Sequence, residues 1–329
     1  MEKQEITRQI REFDADCHDE YINMNRITTD GNTYSIGKNL IEDTRQVSFY
    51  PYAECQILQR LNIPIRYYRS CPSFLKEQNF NHWSIGKNKE YLLRFYKDSV
   101  RGFLSNRFST SKDDKDVFPI ILNNLTQQIE ITSFHKTMEI SQLDMTFSDT
   151  NAHTPDGTKI NVGIRAINSE VGASAFTILP RIELGNRFTV VNLHGDGITR
   201  MIHVGDINIE KVRNALIEAE NVAEKAAANL VLLGTEVVKQ PIKELKAIFS
   251  KYSDIPEELM KMSEQELLHS QNRTTRIELA SIIMKCVENL PNINKDLKKR
   301  LSAQSAVGEL LGIFTNTDQV INQLMGVIE

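Results

Sequence analysis

The texture of this 329-residue chain changes at Gly205, and that change limits its folds more than any other feature. Beyond Gly205 the run IEKVRNALIEAENVAEKAAANLVLL places Val212, Leu216, Ala219, Val222, Ala223, Ala226, Leu230 and Leu233 at helical spacing. Its alanine content favours a helix further, and Asp206 is available as a cap. Helices are also expected over about 240–252 after Pro241, 274–290 before Pro291, and 294–325. No heptad persists and no internal repeat occurs.

Before Gly205 the chain reads mainly as strands and turns. Residues 1–45 suggest a helix or two and then a loop or short hairpin. Residues 52–62 carry Ile57, Leu58 and Leu61 at helical spacing, and Pro64 and Pro72 mark breaks. Residues 89–97 suggest a strand, and Val100–Arg107 a segment that is partly turn. Strands are expected within 129–147, 159–169, 175–184, 187–191 and 200–204. Pro155-Asp156-Gly157 and Gly185-Asn186 supply turns. The expected class is α+β: a mixed helix and antiparallel-sheet region over 1–205, then an all-helical region over 206–329. The alanine stripe Ala215, Ala219, Ala223 and Ala226–Ala228 permits close helix contact, so a homo-oligomer built through these helices is expected.

Hydrophobic residues make up 40% of the chain and charged residues 25%, which is ordinary for a globular protein. No apolar run approaches the ~18 residues of a membrane span. The sequence MEKQEITRQIREFDADCHDE has no apolar signal core. Cys17, Cys55, Cys71 and Cys286 form no C-x-x-C pair, as expected for reduced thiols in a cytoplasm.

Charge is distributed unevenly. The chain carries −4, yet residues 49–112 hold eleven Lys and Arg against four carboxylates, a net of +7, with 13 of the 24 aromatic residues. Cations neutralise phosphates and flat rings stack on bases, so this block is a candidate nucleic-acid face. Its residues of interest are Arg66, Tyr67, Tyr68, Arg69, Arg94, Lys97, Arg101 and Arg107, joined by Arg165. The alternative is a core-forming segment with buried rings and solvated charges.

No G-x-x-x-x-G-K-[ST], G-x-G-x-x-G, G-x-S-x-G or H-E-x-x-H motif occurs, so ATP-driven action, a cofactor and a metal are not expected. Glu170 lies near Asp144, Asp149 and Asp156, residue types that a metal-dependent nuclease uses, but spacing alone does not assemble them. A turn held by polar capping explains Asn168-Ser169-Glu170 equally simply. His194 and His203 flank one expected hairpin. Lys295–Arg300 is a second basic cluster, of the kind that usually forms a solvated helix face.

Two segments carry a family resemblance. DSVRGFLSNRF at 98–108 contains R-x-x-x-S-x-R-F, and GIRAINSEVGASA at 163–175 contains N-S-E-x-G. In this order they resemble the phage- and plasmid-borne family catalogued as domain of unknown function 932. The resemblance spans roughly 90–210. Val191-Asn192-Leu193-His194-Gly195 departs from the family pattern in lacking its cysteine. The resemblance implies a mobile-element protein of DNA metabolism, with distant similarity to single-strand annealing proteins. The leading expectation is a protein that binds or anneals single-stranded DNA without ATP. The alternatives are a metal-dependent nuclease and a phage interaction or anti-defence protein.

Overall fold

The computed structural model describes residues 1–37, 44–124, 129–148, 152–269, 274–294 and 296–315. Helix α1 (Lys3–Ala15) precedes a sheet built from β1 (Cys17–Asn23), β2 (Ile27–Thr29), β3 (Tyr34–Gly37), β4 (Thr44–Phe49), β5 (Glu90–Tyr96) and β6 (Ser99–Ser105). The six strands run in the order β1-β5-β6-β4-β3-β2, with β4 and β6 parallel and every other pair antiparallel. Between β4 and β5 lie α2 (Pro51–Arg60), α3 (Ile65–Ser70) and α4 (Ser73–Ser84). Ile57, Leu58, Phe80, Leu93, Phe95 and Phe103 form the core between these helices and the sheet. Each such burial contributes roughly 1.5–3 kcal/mol.

The second sheet comprises β7 (Ile129–Lys136), β8 (Ser141–Phe147), β9 (Ala152–His153), β10 (Lys159–Asn168), β11 (Phe176–Leu184), β12 (Phe188–Val191) and β13 (Thr199–Met201). Its main path is β12-β11-β10-β8-β7; β9 pairs with β10 and β13 with β11. The pleat separates two different faces. Leu143, Met145, Ile160, Val162, Ile164, Ala166, Ile178 and Ile182 share the large core. The opposite face carries Gln142, Asp144, Thr146, Arg165 and Arg181, all buried.

Helix α5 (Asp114–Asn123) connects the sheets, and α6 (Ile209–Leu233) lies across β10 and β11. Then come α7 (Pro241–Phe249), α8 (Glu257–His269), α9 (Arg276–Asn289), α10 (Pro291–Asn294) and α11 (Leu297–Leu311). Helix α11 packs on α7, α9 and β12. One apolar cluster extends from Ile6 to Ile313. The fold is α+β with helices in both halves. No helix among the described residues is long and apolar enough to cross a membrane.

Several elements differ from expectation. Val100–Arg107 is mostly strand, and Gly102 serves close packing there rather than a bend. A Cβ on Gly102 would lie 2.8 Å from the Val171 side chain. Pro64 and Pro72 do more than end helices, because each is the extended residue from which the next helix starts. Asn208 caps α6 instead of Asp206, accepting from the Lys211 amide at 2.9 Å. The α6 stripe Ala215, Ala219, Ala223, Ala226 and Ala227 is buried in the chain's own core, so it gives no basis for subunit contact. The final helix is seen to Leu311, and its expected extension beyond 315 lies outside the described residues.

Candidate functional site

The two sequence blocks meet at the junction of the sheets. Arg101, on β6, donates from Nη2 to Glu170 Oε2 at 2.7 Å. Lys136, on β7, donates to the same oxygen at 3.1 Å and also binds Asp114. The Asp114 amide donates to Glu170 Oε1 at 3.0 Å. Arg94, on β5, grips both oxygens of Asp113 at 2.6 and 2.5 Å, Asp19 at 3.0 Å and the Glu170 carbonyl at 2.8 Å. A β-bulge at Arg94/Phe95 accompanies this placement. The Phe13 ring on α1 lies 5.2 Å from the Arg101 guanidinium and 4.4 Å from Lys136 Nζ.

The remaining block residues hold the loop after β10. Asn168 Nδ2 donates to the Lys112 carbonyl and to Asp114 Oδ1, both at 2.8 Å. Ser169 Oγ donates to the Glu139 carbonyl at 2.6 Å and accepts from the Ala173 amide at 2.8 Å. Gly172 has φ +76°, which the turn requires. From α2, Gln56 Nε2 donates to the Val171 carbonyl at 2.8 Å while its Oε1 accepts from the Phe103 amide at 2.8 Å. The N-S-E-x-G block is thus a clasp between two sheets.

The network contains Arg94, Arg101 and Lys136 against Asp19, Asp113, Asp114 and Glu170. Burial raises the pKa of Glu170, but the charges of Lys136, Arg101 and Arg94 outweigh it and hold the carboxyl well below its ordinary range. Burial pushes Asp114 up, with Glu170 adding to the rise. Burial likewise lifts Asp113 to about 6 despite Arg94. A cleft of about 420 Å³ reaches Asp19, Arg94 and Asp113, but neither Glu170 nor Asp114 lines it. Structural ion-pair networks perturb pKa values as active sites do, and here Glu170 and Asp114 are sealed while Asp113 reaches the cleft.

The predicted nucleic-acid residues separate into two groups. Arg94, Arg101 and Arg165 are 4%, 2% and 1% exposed and carry ion pairs, which removes them from any surface that a strand can touch. Tyr68 is also buried, its hydroxyl 3.3 Å from that of Tyr34. Arg66, Tyr67, Arg69, Lys97 and Arg107 are exposed. Lys97 lies at a separate place, on the β5–β6 turn beside Asp16. Arg107 lies in the turn after β6, and Arg69 pairs with Glu54 at 3.2 Å.

The exposed group leads to α3 and α4, which sequence reading treated only in bulk. On α3 and α4, Tyr67, Phe74 and Trp83 are 48%, 59% and 51% exposed. Asn79 Nδ2 donates to the Tyr67 hydroxyl at 3.1 Å and orients that ring. Residues 60–89 carry Arg60, Arg66, Arg69, Lys76, Lys87 and Lys89, opposed within the segment by Glu77 alone. Phe74 and Trp83 are nine positions apart on α4, about half a turn around the helix, so the two rings lie on opposite flanks of the buried Phe80 and Ser84.

The carboxylates considered for metal chemistry do not assemble with Glu170. Asp144 binds Arg165 at 2.6 and 2.8 Å. Asp156 is at the surface with Arg187, and Asp149 lies outside the described residues. Among the described residues no group of three or more His, Cys, Asp or Glu side chains is placed to hold a metal ion. His194 lies beside Tyr252, while His203 stacks on Phe108 at 4.6 Å, so the two histidines have different settings.

His203 is buried, and neither ring nitrogen has a hydrogen-bond partner among the described residues. Burial, then the nearby Lys112 and Arg94 charges, lower its pKa from 6.5 to about 4, against the Ser109 backbone contact and Glu170. The unfolded chain therefore binds this proton more readily. The contribution of neutral His203 is complete above pH 6.5 and is lost as pH falls through about 4. It amounts to about 3 kcal/mol at 1.36 kcal/mol per pH unit. Asp113 acts in the opposite sense, losing stability as pH rises through about 6. Urea midpoints measured from pH 7 to 4 are expected to fall less steeply for His203→Phe than for the parent. Parallel profiles would show that His203 is not the titrating group.

No family model, curated protein or solved structure matches the chain. The resemblance to the phage- and plasmid-borne family therefore rests on the two quoted blocks.

Proposed function

We propose that this chain binds single-stranded nucleic acid through the exposed rings and cations of α3 and α4, without ATP. The observation carrying this reading is the set of exposed rings Tyr67, Phe74 and Trp83 among six cations and one carboxylate over residues 60–89. Exposed rings give stacking platforms that tolerate any base, and the cations offer phosphate contacts. The −4 charge of the whole chain confines such binding to this basic segment. In this reading DNA is the strand, the setting is the cytoplasm of a cell carrying a mobile element, and the role is binding or annealing. Subunits assemble to lengthen the binding surface, and α6, α9 and α11 brace the second sheet.

Trp83 is the sole tryptophan, so the test needs no label. Adding a short oligo(dT) is expected to quench its fluorescence. Three to five phosphate contacts would give a log K against log salt slope of about −2 to −3.5. Removing one stacking ring costs roughly 1–3 kcal/mol, so Trp83→Ala, read by anisotropy of a labelled strand, is expected to weaken binding about 5- to 150-fold. Folded protein with no anisotropy change at low salt would end this reading.

A further inference from the structure

The polar face of the second sheet carries Arg165 and Arg181, and α11 brings a third arginine, Arg300, over it. Asp144 on β8 accepts from Arg165 Nε and Nη2, from Gln142 Nε2 at 3.1 Å and from Ser133 Oγ at 3.3 Å. Arg181 Nε lies 3.5 Å from the same carboxylate, and its Nη2 binds Glu183. Arg165 Nη1 donates to Gln304 Oε1 on α11 at 2.5 Å. Arg300 lies one helical turn before Gln304 and lines the same cavity as Arg165. Asp144 and Glu183 are thus already engaged by Arg165 and Arg181, and Arg300 is the surplus cation.

Arg300 is half-buried, and its Nε is sealed with no hydrogen-bond partner among the described residues. The described ion pairs of its neighbours on α11 take Lys298 to Asp254 and Lys299 to Asp296, and none includes Arg300. A partly desolvated guanidinium beside a second arginine is costly without a counter-anion. The cavity holds about 240 Å³ and is lined by Arg165, Arg300 and Gln304, by Asn186 of the β11–β12 turn, and by the carboxylates Asp144, Glu183 and Glu288. That is smaller than the roughly 300–1,000 Å³ of drug-sized sites. Arg187 at the rim is engaged with Asp156, and Glu288 is exposed.

We propose that this cavity binds one oxyanion of the phosphate class, gripped by Arg300 with Arg165 behind it. The guanidinium fork matches two oxygens of a phosphoryl group, which a point charge does not. The cavity fits one such group, either a free ion or the end of a larger molecule whose body stays outside the turn. This site does not depend on the nucleic-acid reading, since Arg300 is remote in sequence from α3 and α4.

The test is thermal unfolding at constant ionic strength, with sodium phosphate exchanged for sodium chloride. Phosphate is expected to raise the Tm saturably, and Arg300→Gln to weaken the apparent phosphate affinity at least tenfold. The same variant is expected to melt no lower than the parent without phosphate, because it removes a charge that lacks an anion. Glycerol phosphate in a parallel titration separates the sources: an equal shift assigns a phosphoryl ester, and a shift from the free ion alone assigns inorganic phosphate. Phosphate that acts no differently from chloride, or Arg300→Gln with unchanged phosphate affinity, overturns the proposal. If the glutamine variant does not fold, Arg300→Lys replaces it. Weaker phosphate affinity then supports the site, and unchanged affinity removes it.

Discussion

Glu170→Ala is expected to lower the unfolding free energy by about 3–5 kcal/mol, the range found when one member of a buried ion pair is removed. The alanine variant leaves Arg101 and Lys136 without the carboxylate they share, at 2.7 and 3.1 Å. It also strips the Asp114 amide of its acceptor. All of these groups are buried, so water replaces the lost contacts poorly. A loss of this size exceeds half of the stability of a marginal domain. Urea unfolding followed by circular dichroism checks it. A loss below about 1 kcal/mol would mean that water or a rearranged Asp114 takes over the role. Arg101→Ala is expected to act through the same network and so to lower stability, rather than to weaken nucleic-acid binding by the folded fraction.

Asp144→Ala is expected to cost a similar 3–5 kcal/mol, for the same electrostatic reason. It would leave Arg165 and Arg181 facing each other with Arg300 above them. Although burial raises the Asp144 pKa, the Arg165 and Arg181 charges bring it below its ordinary value, so the carboxylate is ionised at neutral pH. The double variant Asp144→Leu with Arg165→Met is expected to recover much of the loss, because apolar side chains of similar volume commonly replace a buried pair. A double variant no more stable than Asp144→Ala would show that the pair's neighbours, not its charge balance, set the cost.

Parts of this arrangement were legible from residue order. The apolar spacing from Val212 to Leu233 marked α6, and Gly185-Asn186 marked the turn that the Arg187 amide closes on the Leu184 carbonyl at 2.9 Å. Helix α8 was not seen, because Ser263 interrupts the apolar row between Leu259 and Leu267 on its buried side. The strand at 99–105 was concealed by Gly102, whose missing side chain answers to Val171, 69 positions later. A count of basic residues does not distinguish a cation facing water from one facing a carboxylate. Arg94 and Arg101 therefore entered the same sum as Arg66, although Asp113 and Glu170 hold them inside. In the Lys295–Arg300 cluster Lys298 stays at the surface while Arg300 is half-buried, and Lys295 lies outside the described residues. The Arg101–Glu170 pair had a trace in the two blocks, but Asp113, Asp114 and Lys136 had none, because their proximity is made by the fold.

The contact between Arg165 and Gln304 spans 139 positions. At roughly 5–20 residues per second, a ribosome takes about 7 to 30 s to pass from β10 to α11. Once β11 has been made, early in that interval, the Asp144–Arg165 face still lacks its cover. The final packing of the second sheet is therefore a late event of biosynthesis, and the nascent chain is exposed to misassembly until the last described helix has been made.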